Sequence, residues 1–347
     1  MLLEGVFPAA TTPFYPDGRL YLKKLEHNVD HYSRTPVAGL TILGSTGEAV
    51  MLTDDESRQV LHHAREAAAP EKVLLAGVAR ESLSATLDLA EYAADQHYDA
   101  VLVRTPSYFA YSSLDMLTYY RALADRSPLP IVIYSIPKYT HYEMPVEVVA
   151  ELAQHANIIG VKDSSGNVVR IAALVQATRH APLRETSVTP IFTPLTARMT
   201  LAMSTPRENF VSAEALGGTT VIAPPAPTKL TRTKQVGFQV LTGAANQLFD
   251  SLQTGASGGI LALASPAPQA CQEIYTAWKE NDPALAAVKQ QRVVEASKIV
   301  LAKYGVPGIK HACDLNGYYG GRPRLPLVSL NADQQAEVAD VMADLRN

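Results

Sequence analysis

Only two of the 347 residues are cysteine and one is tryptophan. Cys271 and Cys313 stand far apart and outside any CxxC pair, which argues against a zinc ribbon or a disulfide framework. No stretch approaches about 18 uninterrupted apolar residues, so no membrane span is expected. The opening "MLLEGVFPAATTPF" lacks a basic start followed by a long apolar run, so no secretory signal is expected either. Charge of one sign is also missing: 30 Lys plus Arg face 34 Asp plus Glu, a net charge of -4. Such a balance gives no field to hold nucleic acid or an anionic membrane. These absences predict a soluble, cytoplasmic protein whose partners are small solutes.

What is present is a regular alternation of strand and helix signals. With 47% hydrophobic and 18% charged residues the composition is that of a globular chain with a sizeable core. Eight short apolar, β-branched runs begin at Gly5, Ala38, Val73, Ala100, Ile131, Ile158, Phe238 and Gly258. Helix-like segments separate them. "TDDESRQVLHHAREAAA" opens with Thr53 and Glu56 in capping-box spacing, and "ESLSATLDLAEYAADQH" carries Leu83, Leu87, Ala90 and Ala94 on one stripe. Continuous rather than alternating apolar strands indicate burial on both faces, as in a parallel sheet sheathed by helices. Eight βα units predict an α/β fold of the (β/α)8 TIM-barrel type. An open doubly wound sheet would want a glycine-rich phosphate loop after its first strand, and none is there.

The expected organisation is a barrel over 1–282 with an inserted segment at 181–236, followed by a C-terminal helical region at 283–347. The insertion, rich in Thr and Pro, is too long for an αβ loop. Running from helix to strand, it is expected on the N-terminal face, away from catalysis, as an oligomer contact or a flap.

In such a barrel the strand C-termini share one mouth. There the chain offers Gly44-Ser45-Thr46-Gly47-Glu48, Thr105-Pro106-Ser107-Tyr108, Tyr134-Ser135-Ile136-Pro137 and Lys162-Asp163-Ser164. The set holds one amine, two phenols and several hydroxyls, with no metal-like cluster of histidines or carboxylates, so neither a metal nor a cofactor is expected. It suits carbonyl chemistry through an amine. An ordinary lysine is protonated at pH 7 in all but roughly one molecule in a few thousand. Apolar surroundings disfavour that charged form and free the lone pair to attack a ketone. The resulting Schiff base is an electron sink for an adjacent C–C bond, and a tyrosine on the neighbouring strand can relay the proton. The competing reading is a lysine that snorkels to solvent or pairs with Asp163. Likewise the Gly-Ser-Thr-Gly-Glu turn is either a carboxylate nest or a plain tight turn with a helix cap.

The motifs "GSTGE", "TPSY", "IYSIP" and "GVKDSSGN", in this order and spacing, resemble the dihydrodipicolinate synthase and N-acetylneuraminate lyase superfamily of class I pyruvate aldolases. The likeness covers nearly the whole chain outside the insertion. It implies Lys162 as the Schiff-base lysine and Tyr134 as the proton-shuttling phenol. It implies Ser45 as the relay hydroxyl, with Ser45 and Thr46 on the carboxylate of pyruvate. Tyr108 matches a tyrosine that completes the relay in a neighbouring subunit, which implies a homodimer or homotetramer. Gly47, Ser164, Gly243, Ile260 and Tyr139 complete the expected substrate-binding set. Tyr139 stands where the synthase has an arginine that grips the carboxylate of aspartate semialdehyde, and a phenol cannot make that bidentate pair. "VKDSSGNVVRI", "YGVPGIK" and "GYYGGRPRLPL" are most similar to 4-hydroxy-2-oxoglutarate aldolases. The expected reaction is therefore cleavage of a 4-hydroxy-2-oxo acid to pyruvate and an aldehyde. The synthase reaction, a sugar-acid dehydratase and a catalytically silent oxo-acid binder remain as alternatives.

Other residues carry weaker signals. His27 and His31, and also His62 and His63, are expected on solvated helix faces rather than on a metal. Tyr318 and Tyr319 either line the substrate entrance or pack the C-terminal helices. Both cysteines are expected to be buried, inert thiols.

Overall fold

The computed structural model describes residues 2–188 and 232–345. Eight parallel strands form the central sheet: β1 (Gly5–Pro8), β2 (Gly39–Ile42), β3 (Val73–Gly77), β4 (Ala100–Arg104), β5 (Ile131–Ser135), β6 (Ile158–Asp163), β9 (Gln239–Thr242) and β10 (Gly258–Leu261). From β2 onward each is paired with the next of these strands in chain order, and β10 pairs with β1. The ring closes between β1 and β2, where Ala38 N–H donates to Val6 at 3.0 Å and Ala10 N–H to Thr41 at 3.0 Å. This is the (β/α)8 barrel that the periodicity predicts.

The strands are shorter than the apolar runs that announce them. The first run continues through Ala9, Ala10, Thr11, Thr12 and Phe14, all buried, although the strand ends at Pro8. Ala9 and Ala10 still hydrogen-bond to Leu261 and Thr41, whereas Thr12 and Phe14 beyond them are held by Lys310 of the C-terminal region, so hydrophobicity at that end reports burial rather than ladder pairing. Between the strands lie the expected helices. Asp54–Ala67 begins with the full capping box, in which Thr53 and Glu56 satisfy each other's backbone N–H groups.

Side-chain alternation divides the core in two. Ile131 and Ile133 of β5 face the helices with Val101 and Val103 of β4, whereas Val132 and Tyr134 face the barrel axis with Leu102. The axial cluster also holds Phe7, Leu75, Ile159, Leu241 and Ile260. Each such side chain, fully buried, contributes about 1.5–3 kcal/mol. This cluster fills the barrel axis beneath the C-terminal ends of the strands.

Two further strands, β7 (Arg184–Val188) and β8 (Arg232–Val236), form an antiparallel hairpin outside the barrel. The Arg184 guanidinium donates to the carbonyls of Ile159 and Gly237 at 3.2 and 2.9 Å, and Lys234 pairs with Glu4. These contacts tie the hairpin to the N-terminal ends of β6, β9 and β1. The rest of the segment between them lies outside the described residues, and the expected role of the insertion lies there too.

After β10 come helices Pro268–Lys279 and Pro283–Ala296, a π-helical stretch Ser297–Lys303, and helices Gly305–Leu315 and Ala332–Val341. Among the described residues no helix is long and apolar enough to cross a membrane.

Candidate active site

Lys162 reaches the barrel axis because β6 carries a bulge. Ile131 pairs with Ile158, but Val132 pairs with Gly160, so Ile159 is an extra residue on β6. The insertion shifts the inside–outside phase: Val161 joins Ile133 on the helix side, and Lys162 joins Tyr134 on the axial side. Without that shift the lysine would point into the helix layer. Gly160 permits it, because a Cβ there would lie 2.5 Å from the carbonyl oxygen of Gln239 on β9.

The amine of Lys162 lies over the ring of Tyr134, 4.0 Å from its centroid. The Tyr134 hydroxyl is in turn 3.4 Å from Ser45 Oγ, long for a hydroxyl–hydroxyl contact. Both Lys162 and Tyr134 are 5% exposed. Asp163 is not the lysine's partner. Strand alternation turns it away from the axis, where it accepts Arg170 Nε at 2.8 Å and both the N–H and hydroxyl of Ser165. Among the described residues Lys162 has no ion pair, and the snorkelling alternative fails with its tip enclosed.

These groups line a cavity of about 240 Å³. Ser45, Thr46, Ser164, Gly243, Ile260 and Tyr139 all border it. At Gly243 a Cβ would fall 1.9 Å from Ser164 Oγ, so the Ser164 side chain lies directly against the Gly243 backbone. Gly47 stands one residue beyond the lining, where its carbonyl accepts the Thr12 hydroxyl at 2.6 Å. Burial raises the Tyr139 phenol above its ordinary value, with Tyr134 adding to the shift, so it is a neutral donor at pH 7.

Tyr108 is not brought to the cavity of its own chain. It is 81% exposed, beside Phe109 at 68%, and its backbone N–H donates to Glu81. A side of the cavity that strand-end reasoning missed comes from the C-terminal region: Ser297, Lys298, Leu301 and Ala302 of the π-helical stretch, then Val306 and Ile309. A π-turn has no clear signature in sequence, yet it is a frequent mark of functional sites. Among the described residues three lysines, Lys138, Lys162 and Lys298, border the cavity, and no carboxylate does. Such a lining favours an anionic ligand.

The weaker signals resolve as packing. His31 stacks on Tyr318 at 4.4 Å, Tyr318 stacks on Tyr32 at 4.4 Å, and Tyr319 meets Tyr21 edge-on. Neither Tyr318 nor Tyr319 borders the cavity. His31 is thus half-buried rather than solvated, and burial lowers its imidazole below the ordinary value. His63 and His62 reach Glu26 and Gln96 on neighbouring helices at 2.6 and 2.8 Å. Among the described residues no group of His, Cys, Asp and Glu could hold a metal ion. Cys271 and Cys313 are fully buried, and burial pushes the Cys271 thiol up to about 12.

The chain is similar along its whole length to characterised proteins. It is 25% identical over 344 residues to the 4-hydroxy-tetrahydrodipicolinate synthase of Methanothrix thermoacetophila, covering 99% of this chain and 97% of the relative. It is 28% identical over 355 residues to the L-threo-3-deoxy-hexylosonate aldolase of Aspergillus niger, covering 99% and 95%. Its fold superposes on a dihydrodipicolinate synthase from Bacillus anthracis with a TM-score of 0.80 at 20% identity, covering 100% of both chains. The model of the dihydrodipicolinate synthetase family matches residues 2–182 and 220–345, interrupted within the insertion. By that match the chain belongs to the dihydrodipicolinate synthetase family.

Proposed function

We propose that the protein is a Schiff-base lyase that cleaves a 4-hydroxy-2-oxo acid to pyruvate and an aldehyde, with 4-hydroxy-2-oxoglutarate as the first candidate. The observation that carries this reading is the buried Lys162 amine, without an ion pair among the described residues, on the face of Tyr134 in a lysine-bordered cavity.

In this mechanism the Lys162 lone pair bonds to C2 of the oxo acid, and the C2 oxygen takes up a proton to give a carbinolamine. Loss of water leaves a protonated imine. The 4-hydroxyl then loses its proton, the C3–C4 bond breaks, and its electron pair moves towards the imine nitrogen as an enamine while the aldehyde departs. Protonation at C3 and hydrolysis return pyruvate and the free amine. Tyr134 and Ser45 carry the protons between C2 oxygen, C4 oxygen and water. The Ser45 and Thr46 hydroxyls and N–H groups hold the carboxylate of the pyruvyl half.

Tyr108, exposed in the single chain, is assigned to the relay of a second copy, in a homodimer or homotetramer. Its exposure, with that of Phe109, supports a surface that a partner covers. A Tyr108→Ala variant is expected to shift the mass in solution towards the monomer and to lose turnover together with it.

The condensation of pyruvate with aspartate semialdehyde is the second reading, favoured by the synthases among the relatives. It is placed second because Tyr139 offers one phenol where a bidentate guanidinium is needed, leaving Lys138 as a lone point charge. Purified protein incubated with a panel of 4-hydroxy-2-oxo acids should release pyruvate, read by NMR. Release from none of them, with consumption of aspartate semialdehyde, would exchange the two readings. A dehydrated 2-oxo product would instead point to a dehydratase, and no turnover at all to a silent binder.

A further inference from the structure

The Gly44–Glu48 turn ends in a residue with no evident part in the chemistry. Glu48 has φ of 56°, a left-handed backbone that a non-glycine residue adopts only when its surroundings hold it there. What holds it is a buried charge cluster. Glu48 Oε1 lies 2.6 Å from Lys310 Nζ with both side chains 1% exposed, a charge contact without hydrogen-bond alignment at that oxygen. Its other oxygen accepts the backbone N–H of Arg324 at 2.8 Å. Lys310 also donates to the carbonyls of Thr12 and Arg322, each at 2.9 Å, and the Thr12 hydroxyl reaches back to Gly47. Arg324 forks onto both carboxylate oxygens of Glu56 at 2.7 Å and donates to the carbonyls of Met51 and Gly18. The ring of Phe14 has both cations over it, each 4.4 Å from its centroid.

None of Thr12, Phe14, Glu48, Lys310 and Arg324 borders the cavity, so the contacts that Gly47 and Glu48 make with this cluster hold the turn from outside the lining. The N–H groups of Gly47 and Glu48 are used within the turn, on the carbonyls of Gly44 and Ser45. Among the described residues that leaves the N–H groups of Ser45 and Thr46 and the Thr46 hydroxyl for a ligand, with the Ser45 hydroxyl held only by its long contact to Tyr134. A buried ion pair adds little net stability relative to an apolar pair of the same volume, but it fixes geometry. We propose that Glu48 and Lys310 are positioning residues, through which the C-terminal helical region sets Ser45 and Thr46 at the spacing a 2-oxo carboxylate requires. This rests on the Schiff-base reading above. It also gives the "GGRPRLPL" segment a physical role, since Arg322 and Arg324 supply the cluster with a carbonyl and an N–H.

The test measures how much pyruvate half-saturates borohydride trapping in the wild type, in Glu48→Gln and in Glu48→Gln/Lys310→Met. Lys310→Met alone leaves a buried carboxylate unpaired and serves only as a stability control. The double variant removes both charges and is expected to melt near the wild-type temperature. A displaced donor to a charged group predicts a half-saturating pyruvate concentration about tenfold higher or more in both test variants. The extent of trapping at saturation should stay unchanged, because the amine and phenol are untouched. A merely structural pair would lower the melting temperature without that split. Half-saturation within about twofold of wild type in the folded double variant would overturn the proposal. Failure of the wild type itself to trap pyruvate would instead remove the Schiff-base reading, and the carboxylate assignment with it.

Discussion

Lys162 in the barrel mouth and Lys310 beneath the Gly44–Glu48 turn are both withdrawn from water, at 5% and 0% exposure. Their neighbours differ in kind. Lys310 is enclosed by a carboxylate, two carbonyls that accept its hydrogen bonds and a ring. Burial lowers its amine from the ordinary lysine value, and Glu48 opposes that shift. Lys162 has a phenol ring beneath it and a cavity in front. Burial alone therefore does not make a lysine a nucleophile. What counts is whether its surroundings leave space for a carbonyl carbon and a group to take the proton, and only the mouth lysine has both.

Removing either amine should have opposite signatures. Lys162→Met should abolish pyruvate trapping and lower turnover by about four orders of magnitude or more, with little loss of melting temperature. Lys310→Met should do the reverse in kind, destabilising the fold by about 3–5 kcal/mol in urea titration because Glu48 is left charged and buried. Tyr134→Phe keeps the ring under the amine and deletes the proton carrier. Turnover should fall by about 10²- to 10⁴-fold while slow trapping survives. Gly160→Ala drives a methyl group into the Gln239 carbonyl and strains the bulge that aims Lys162. A loss of about 1–3 kcal/mol is expected, with trapping reduced in the fraction that stays folded.

The smallest effect concerns a third buried lysine. Lys72 donates to the carbonyls of Thr35 and Val37, and burial lowers its amine to about 8. In the unfolded chain the same amine titrates near 10.4. Between pH 8 and 10 the unfolded state thus holds more protons, so stability should rise with pH, by on the order of 1–2 kcal/mol. Above that window the buried tyrosines, whose phenols burial holds above the ordinary value, reverse the trend. Urea midpoints at pH 8 and 10, in wild type and in Lys72→Met, check the slope and its loss.

The sequence made the barrel legible because eight apolar runs and their helices are local signals, and parallel strands buried on both faces leave a continuous pattern. That Lys162, Tyr134, Ser45 and Thr46 meet at one mouth was legible for the same reason, since each stands at or a few residues beyond the C-terminal end of a strand. The bulge at Ile159 was not, because "IIGVKD" reads the same in either phase. Nor was the cavity wall at Ser297–Ala302, which depends on a π-turn and on where the C-terminal helices dock. Glu48, Lys310 and Arg324 form one cluster from residues up to 276 positions apart. No spacing rule links them. The β7–β8 hairpin escaped notice because "RETSV" and "RTKQV" are polar and sit in a Thr- and Pro-rich context that reads as loop.

The most direct test of the central claim is peptide mapping after borohydride reduction with pyruvate, with Lys310 and Lys72 as internal controls. The account predicts one reduced pyruvyl group per chain, confined to the peptide that contains Lys162. Label on the peptides of the other two lysines, or on none, would contradict it.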